Sequence, residues 1–537
     1  MLIQHISSRY YTRFYGQQAG KENFRPNQGF LLFIILIAFA VYLFVPLWDI
    51  DLWYHLATGR YIFEHKALLS NDPFSYTTGQ VLSSEMVNLR GYWLAQLFFY
   101  FAYSTLGNYG LIILRVILLL LSLSTIFIIG RKIKSDDSCL LIFLVLAGLA
   151  LRDFTGERPQ LFSFLLAPVV FYLLHDLKNK YEKSSVTAKS FMPLPLVILL
   201  WSNLHRGFIM GTALIILFGI SEAIRLSFKK KLDQSFLTAC IIMVISFSAS
   251  LINPNTYKPY IDVVTFEGSS LQQRISEYMS PVTLAIEYRR VLPFYWLYLL
   301  SFFIILGLSI KNIPKTQLIV MLVMAAISLS AFRYIPFFLL ITAPYIAFHL
   351  SVIISTKASL RIITDILAYA IFLLILIFVF SGFNGSMGRT FKSSLQEHRF
   401  PEGAVEFTLN NRPSGNVFNT FNWGGYLIWR LYPEYRIFID SRTLSLKVFS
   451  DYTYILWDKN KWTFLLDSYD IRTIIMPGLN DFTGELYELT NYLYEDKNWH
   501  LVYRDDTAMV FLRGNENSDL IKKFSLPKTD IYTHVIK

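Results

Sequence analysis

Charge is scarce in this sequence of 537 residues: only 16% are Asp, Glu, Lys or Arg, while 54% are hydrophobic. A globular core of that length cannot hide so much apolar surface, so lipid must solvate the surplus. Cysteine is nearly missing. Cys139 and Cys240 each lie inside an apolar run, so no disulfide framework is indicated and the redox compartment is not readable from them. The chain lacks a Walker loop, a dinucleotide glycine fingerprint after a strand, a His-Glu-x-x-His pair and a Gly-x-Ser-x-Gly elbow. Nucleotide-driven pumps and membrane metalloproteases of those types lose support accordingly. Solenoid repeats and low-complexity segments are also missing. No cleavable signal opens the chain: polar residues including Tyr10, Arg13, Lys21 and Arg25 precede the first apolar run. Residues 1–28 therefore read as a retained cytoplasmic tail.

What is present is aromatic and helical. The 46 Phe and 33 Tyr are many even for a membrane protein, and Tyr and Trp suit headgroup depth. A bilayer core needs roughly 20 apolar residues per helix. Residues 29–47, 109–130, 161–174, 207–224, 236–252, 292–310, 317–332, 336–354 and 362–381 meet that need, and 139–151 and 191–201 approach it with interfacial help. The net charge of +11 does not signal a nucleic-acid partner, because the basic residues cluster at the ends of apolar runs. These clusters are Arg131, Lys132 and Lys134; Lys178, Lys180 and Lys183; Arg225, Lys229, Lys230 and Lys231; Lys311 and Lys315; and Lys357 and Arg361. Eleven spans with the N-terminus inside put every cluster in the cytoplasm. Counting residues 92–106 as a further span would invert that order, so this segment reads as an interfacial or re-entrant helix.

The expected architecture is an α-helical polytopic membrane protein of about eleven transmembrane helices, over residues 29–381. Its long outer loops are 48–108 and 253–291. Residues 382–537 lose the long apolar runs and gain turn residues and charge, as expected of an extracytoplasmic α/β domain. Short β-forming runs at 416–420, 436–440, 472–476, 500–503 and 508–512 alternate with helical patterns at 425–431 and 484–494. A small mixed sheet closing in a hairpin, with Asp505 and Asp506 at its turn, is expected.

Ionisable residues beside a membrane are costly and either snorkel or serve a site. Here they gather on the predicted outer face. The first outer loop opens with Asp49, Asp51 and His55, and a continuing helix would set Asp51 and His55 one turn apart on a shared face. Such a carboxylate suits a general base that deprotonates an acceptor hydroxyl attacking an activated sugar. A capping Asp with an interfacial aromatic belt is the alternative, and a metal site built on Asp51 and His55 lacks a visible third ligand. The next outer turn carries Arg152, Asp153, Glu157 and Arg158. The Arg158 guanidinium matches phosphate oxygens, or else pairs with Glu157 where Pro159 starts a helix. Asn203 and His205 are candidates for substrate contact, alongside a structural reading of the histidine. Glu277 and Arg333 complete the set; Arg333 either binds ligand or snorkels to the interface.

Several segments in series carry a resemblance. They are residues 51–60 (Asp51-Leu52-Trp53-Tyr54-His55 onward), 72–76 (Asp72-Pro73-Phe74-Ser75-Tyr76), 93–96 (Trp93-Leu94-Ala95-Gln96), 158–160 (Arg158-Pro159-Gln160), 203–205 (Asn203-Leu204-His205) and 422–427 (Asn422-Trp423-Gly424-Gly425 onward). Over nearly its whole length the chain resembles a group of bacterial membrane proteins similar to the GT-C superfamily of glycosyltransferases. One departure stands before Trp93, where Arg90-Gly91-Tyr92 replaces an expected acidic residue. The resemblance implies a polyprenyl-phosphate-linked sugar donor and a glycan, lipid or protein acceptor, meeting on the outer side of the bacterial cytoplasmic membrane. It also implies an acidic base at the end of the first helix. That role falls on Asp51, or on Asp49, with Arg158 and Arg333 as donor-phosphate candidates. Trp423 resembles in position the Trp-Trp-Asp-Tyr-Gly motif of oligosaccharyltransferases, without its acidic member, and is a substrate-binding candidate. No cofactor is assigned, and a divalent metal is left open. The rival readings are a transporter or flippase of lipid-linked glycans, which would carry polar residues at mid-membrane depth and two-fold repeats, and a non-catalytic assembly protein of an envelope-polymer system.

Overall fold

The computed structural model describes residues 28–78, 86–228, 234–266, 276–355, 358–382, 387–396, 399–442, 444–479 and 484–528. The tail through residue 27 lies outside them, as do residues 229–231 and 357 of the basic clusters and 267–275 of the second long loop. Each of the eleven apolar runs forms a helix. In chain order these are Gln28–Leu43, Trp93–Lys132, Asp137–Ala150, Gln160–Glu182, Pro193–Leu204, Phe208–Phe228, Gln234–Ala249, Pro293–Ser309, Lys315–Ser330, Ile335–Ile354 and Ala358–Gly382. Among the described residues four stretches are, by length and composition, long and apolar enough to cross a membrane: Trp93–Lys132, Gln160–Glu182, Phe208–Phe228 and Phe332–Ile354. The others are mostly shorter apolar helices.

The 40 residues of Trp93–Lys132 would reach about 60 Å as one straight helix, twice a bilayer core. They do not. Gly107 adopts φ 59°, which only glycine takes readily, and a Cβ on Gly110 would lie 1.9 Å from the Ala102 carbonyl oxygen. The chain therefore turns sharply at Gly107, and residues 93–106 form a helix separate from the apolar span that follows. That first part packs on the Leu52–His65 helix, where a Cβ on Gly59 would meet the Gln96 carbonyl oxygen at 2.1 Å.

Most helices run between two chemically distinct ends. Arg158 precedes Gln160–Glu182 and Arg206 precedes Phe208–Phe228, while the far ends of those helices join through Arg225–Glu182 at 2.7 Å and Lys178–Glu222 at 2.6 Å. Arg131–Asp137 (2.7 Å) and Arg361–Asp136 lie where their helices also meet, so among the described residues Arg131, Lys178, Arg225 and Arg361 lie at the end of the bundle opposite Arg158.

The C-terminal part holds a four-stranded sheet in the order β1-β2-β4-β3, with β1 Asn416–Asn419, β2 Ile471–Met476, β3 His500–Arg504 and β4 Met509–Leu512. β1 and β2 are parallel; the β3–β4 hairpin is antiparallel, with Asp505 and Asp506 in its turn. The sheet buries both faces, so apolar residues stand next to one another along its strands, as in Val417-Phe418, Ile474-Ile475-Met476 and the whole of β4. Val417, Ile475, Val510 and Val502 join the core shared with the helical bundle, while Phe418, Ile474, Phe511 and Leu501 face a second core of the domain's own. The expected strand at 436–440 is not in this sheet. Ile437 instead makes a parallel bridge to Ser75 of the first long loop, donating its N–H to the Phe74 carbonyl, and the Asn419 side chain takes the N–H of Phe438.

Candidate active site

The first helix stops at Leu43, short of the predicted 47, and the chain continues extended. Leu47 bridges Leu395, exchanging backbone hydrogen bonds of 2.9 Å with Ser394 and Gln396. This leads Asp49 and Asp51 to the start of the Leu52–His65 helix. That helix is not a solvated loop: Leu52 through Gly59 are all buried. Asp51 stands at its N-cap position, yet its side chain makes no capping bond, so the capping alternative does not account for it. The Asp49 carboxylate instead accepts the Asp51 N–H at 2.9 Å.

Arg158 is the hub. Its Nε donates to Asp49 Oδ2 at 2.6 Å, and its Nη1 lies 3.1 Å from Asp51 Oδ2 and also bonds Glu277. Three carboxylates from two distant segments thus meet around one guanidinium. Glu157 does not pair with Arg158. It turns inward to Arg115, a fully buried arginine whose other bonds go to the carbonyls of Thr155, Leu43 and Val45. One buried cation thereby ties the end of the first helix to the turn that carries Arg158. Between them sits Gly156, where a Cβ would lie 2.1 Å from Asp49 Oδ2. Arg115 was missed by the sequence reading, although a lone arginine inside the 109–130 apolar run is itself a signal.

The remaining predicted residues divide into neighbours of this hub and structural braces. His55 is buried, with Nδ1 3.1 Å from Gln96 Nε2 and its ring edge-on to Tyr92. Tyr92 in turn stacks on His205, which bonds Ser163 at 2.6 Å and accepts the Gly207 N–H. Asn203 accepts from Trp93 Nε1 at 3.0 Å and donates to the Ile252 carbonyl. Arg333 lies 4.5 Å over the Tyr278 ring, beside Glu277, and no carboxylate is in ion-pairing range of it among the described residues. Asp153 is exposed, with Arg290 at 3.4 Å and Tyr42 and Arg152 near it. Trp423 is buried, donating to the Arg399 carbonyl at 3.2 Å. The glycines after it have a clear role: a Cβ on Gly425 would come within 2.7 Å of the Ile50 carbonyl oxygen, so the Gly424–Leu431 helix packs directly against the backbone beside Asp51.

The C-terminal domain is tied to the first long loop by a second charged group that the sequence did not announce. Arg442, fully buried, bonds Asp72 (2.8 and 3.3 Å), Asp440 (2.7 and 2.6 Å) and the Ser75 hydroxyl.

Electrostatics distinguish the two aspartates. Asp49 is 1% exposed and engaged by Arg158 and a backbone N–H; Asp51 is 16% exposed. Burial pushes the Asp51 carboxyl up to about 6, against the pull of Arg158. Burial draws the Arg158 pKa down, but Asp49, Asp51 and Glu277 outweigh it and hold the guanidinium firmly charged. Burial, aided by Arg158, keeps His55 neutral well below its usual range. Among the described residues no three His, Cys, Asp or Glu side chains are grouped to hold a metal ion. The guanidinium of Arg158 itself takes the central place among the three carboxylates, so the side chains as arranged do not fit a divalent cation.

No protein-family model and no curated protein matches the sequence at a significant level. Solved structures do match. An Archaeoglobus fulgidus oligosaccharyltransferase in complex with Zn and sulfate is 11% identical with a TM-score of 0.56, covering 91% of this chain and 73% of its own. The archaeal oligosaccharyltransferase AglB from the same organism, bound to an inhibitory peptide and a dolichol-phosphate, is 10% identical with a TM-score of 0.53, covering 91% and 74%. ArnT from Cupriavidus metallidurans, bound to undecaprenyl phosphate, is 10% identical with a TM-score of 0.46. The chain thus has long apolar helices of a multi-pass membrane protein and a fold similar to that of the archaeal oligosaccharyltransferases.

Proposed function

We propose that the protein is a membrane glycosyltransferase that moves a sugar from a polyprenyl-phosphate-linked donor to an acceptor hydroxyl, with Asp51 as general base. The eleven helices span the membrane in this reading, and the Asp51 end faces away from the cytoplasm, as the segregation of basic clusters to the other end supports. The observation that carries the proposal is the Asp51 carboxylate, partly open and raised to about 6, in a fold similar to that of lipid-phosphate-using enzymes. A base works best when its pKa lies near the operating pH, and Asp51 is closer to that than an ordinary aspartate. Asp49, buried and saturated, is the poorer base.

In the proposed step the acceptor oxygen bonds the anomeric carbon from the face opposite the phosphate, and its proton passes to Asp51. The sugar–phosphate C–O bond breaks, and the lipid phosphate leaves with the electron pair. Inversion follows from this single displacement. Arg333 is the better phosphate ligand, because its guanidinium rests on an aromatic ring, whereas Arg158 is already held by three carboxylates. Arg158 then orders the carboxylates instead. Membrane transport has less support: Arg115, the arginine buried in an apolar span, is closed by Glu157 and backbone carbonyls rather than lining a path.

The test is release of polyprenyl phosphate and label transfer by the purified protein in lipid nanodiscs, across a panel of polyprenyl-phosphate sugars. Turnover is expected with at least one donor, reduced by about 10²-fold or more in Asp51→Asn and in Arg333→Gln. Full activity in Asp51→Asn would remove Asp51 from the role, and no turnover with any donor would remove the reaction.

A further inference from the structure

Arg115 stands inside the apolar part of the Trp93–Lys132 stretch and is fully buried, as is its partner Glu157. A buried ion pair is costly, and apolar side chains of similar volume often stabilise a fold as well or better, so stability alone accounts for it poorly. Its bonds suggest another role. Arg115 Nη1 donates to Glu157 and, at 3.2 Å, to the Thr155 carbonyl, the two residues flanking Gly156. Nη2 donates to the carbonyls of Leu43 and Val45, where the first helix ends and the extended chain toward Asp49 begins. One guanidinium therefore grips two segments at once, one leading to Asp49 and the other to Arg158. Between the grips a Cβ on Gly156 would lie 2.1 Å from Asp49 Oδ2, the same oxygen that Arg158 Nε meets at 2.6 Å. Arg115 Nε and Glu157 Oε2 are buried with no hydrogen-bond partner among the described residues, so neither side chain has a second hold if the pair parts.

We infer that Arg115 is a positioning residue for the reaction centre: it fixes the Asp49 and Arg158 segments to each other and so sets how closely Arg158 approaches Asp51. The inference rests on the reading of Asp51 as the base. Of the three carboxylates on Arg158, Asp51 is the most distant, at 3.1 Å against 2.6 Å for Asp49 and a still shorter contact to Glu277. A charge-assisted hydrogen bond weakens steeply as it lengthens, so any slack between the two segments is lost first from the Asp51 contact. The task also suits arginine rather than lysine. A planar guanidinium presents donors on two sides in fixed directions, whereas an ammonium is a point charge on a flexible stem.

The experiment reads Asp51 itself rather than turnover. Infrared titration of the full-length protein in nanodiscs follows the protonated carboxyl band of Asp51, identified in each background by its loss on adding Asp51→Asn. Arg115→Met combined with Glu157→Leu removes one charge of each sign and strands neither, so the fold is expected to hold while the Asp51 midpoint rises by about one pH unit. Arg115→Lys, which keeps the charge without the planar fork, is expected to shift the midpoint the same way by less, and it decides the matter if the double variant does not fold. Lys178→Met combined with Glu222→Leu removes a buried pair at the opposite end of the bundle and is expected to leave the midpoint in place. An unmoved midpoint in the Arg115 variants, or an equal shift in the Lys178 control, would overturn the inference. Because no sugar donor is involved, that outcome is separable from failure of the glycosyltransferase reading: a shifted midpoint with no transfer activity would leave Arg115 positioning the carboxylate hub and remove only the reaction.

Discussion

At the scale of single residues, what distinguishes Asp51 from Asp49 is partners rather than position, for the two are only two residues apart. Asp49 spends its lone pairs on Arg158 and on the Asp51 N–H, whereas Asp51 shares one guanidinium nitrogen at 3.1 Å and keeps some solvent contact. The consequence is a pH dependence with a definite sign. A base must be ionised to act, so the rate is expected to rise with pH through an acid limb centred near 6, the value to which burial raises Asp51. Arg158 pulls that value down, so Arg158→Gln is expected to move the limb to higher pH. Rate–pH profiles of parent and variant test this, and a limb that stays in place would detach Arg158 from Asp51.

At the scale of elements, the close approaches are made by glycines. Gly59, Gly156 and Gly425 each lie where a Cβ would overlap a neighbouring oxygen, at 2.1, 2.1 and 2.7 Å. Two of the three border the aspartates, so the Leu52–His65 helix is wedged between the 93–106 helix and the Gly424–Leu431 helix with no slack. Gly425→Ala should push the latter helix off the Ile50 carbonyl, at a cost of about 1–3 kcal/mol as for other overpacked sites. The measurement is a lowered melting temperature in detergent together with weaker docking of the C-terminal domain. A variant as stable as the parent would show that this contact relaxes freely.

At the scale of the whole molecule, Arg442 joins what the sequence separates by hundreds of residues. Asp72 belongs to the first long loop and Asp440 to the C-terminal domain, and both carboxylates are buried on one guanidinium. Truncating such a cation strands its partners, which typically costs about 3–5 kcal/mol. Arg442→Met is therefore expected to loosen the C-terminal domain from the helical bundle and expose the 72–78 and 437–442 segments to limited proteolysis. Equal resistance in parent and variant would count against the lock.

Local sequence determined much of this protein. Apolar runs specified eleven helices, four of them among the described residues long and apolar enough to cross a membrane, because an amide backbone with little water around it must bond to itself. Of the five short β-forming runs, four became the strands of the sheet, with Asp505 and Asp506 in the hairpin turn, for the same local reason. Asp49, Asp51, Arg158 and Glu277 were each legible as costly charges at helix ends, but their convergence was not. Pairing is decided by geometry across the fold: Glu157, adjacent to Arg158, turned to Arg115 instead, and the 436–440 run paired with a loop rather than the sheet. Likewise nothing local distinguished Asp440-Ser441-Arg442 from any surface turn. Its burial against Asp72 arises only when two distant segments are brought together, because a charge shows its partner only once water has been removed from between them.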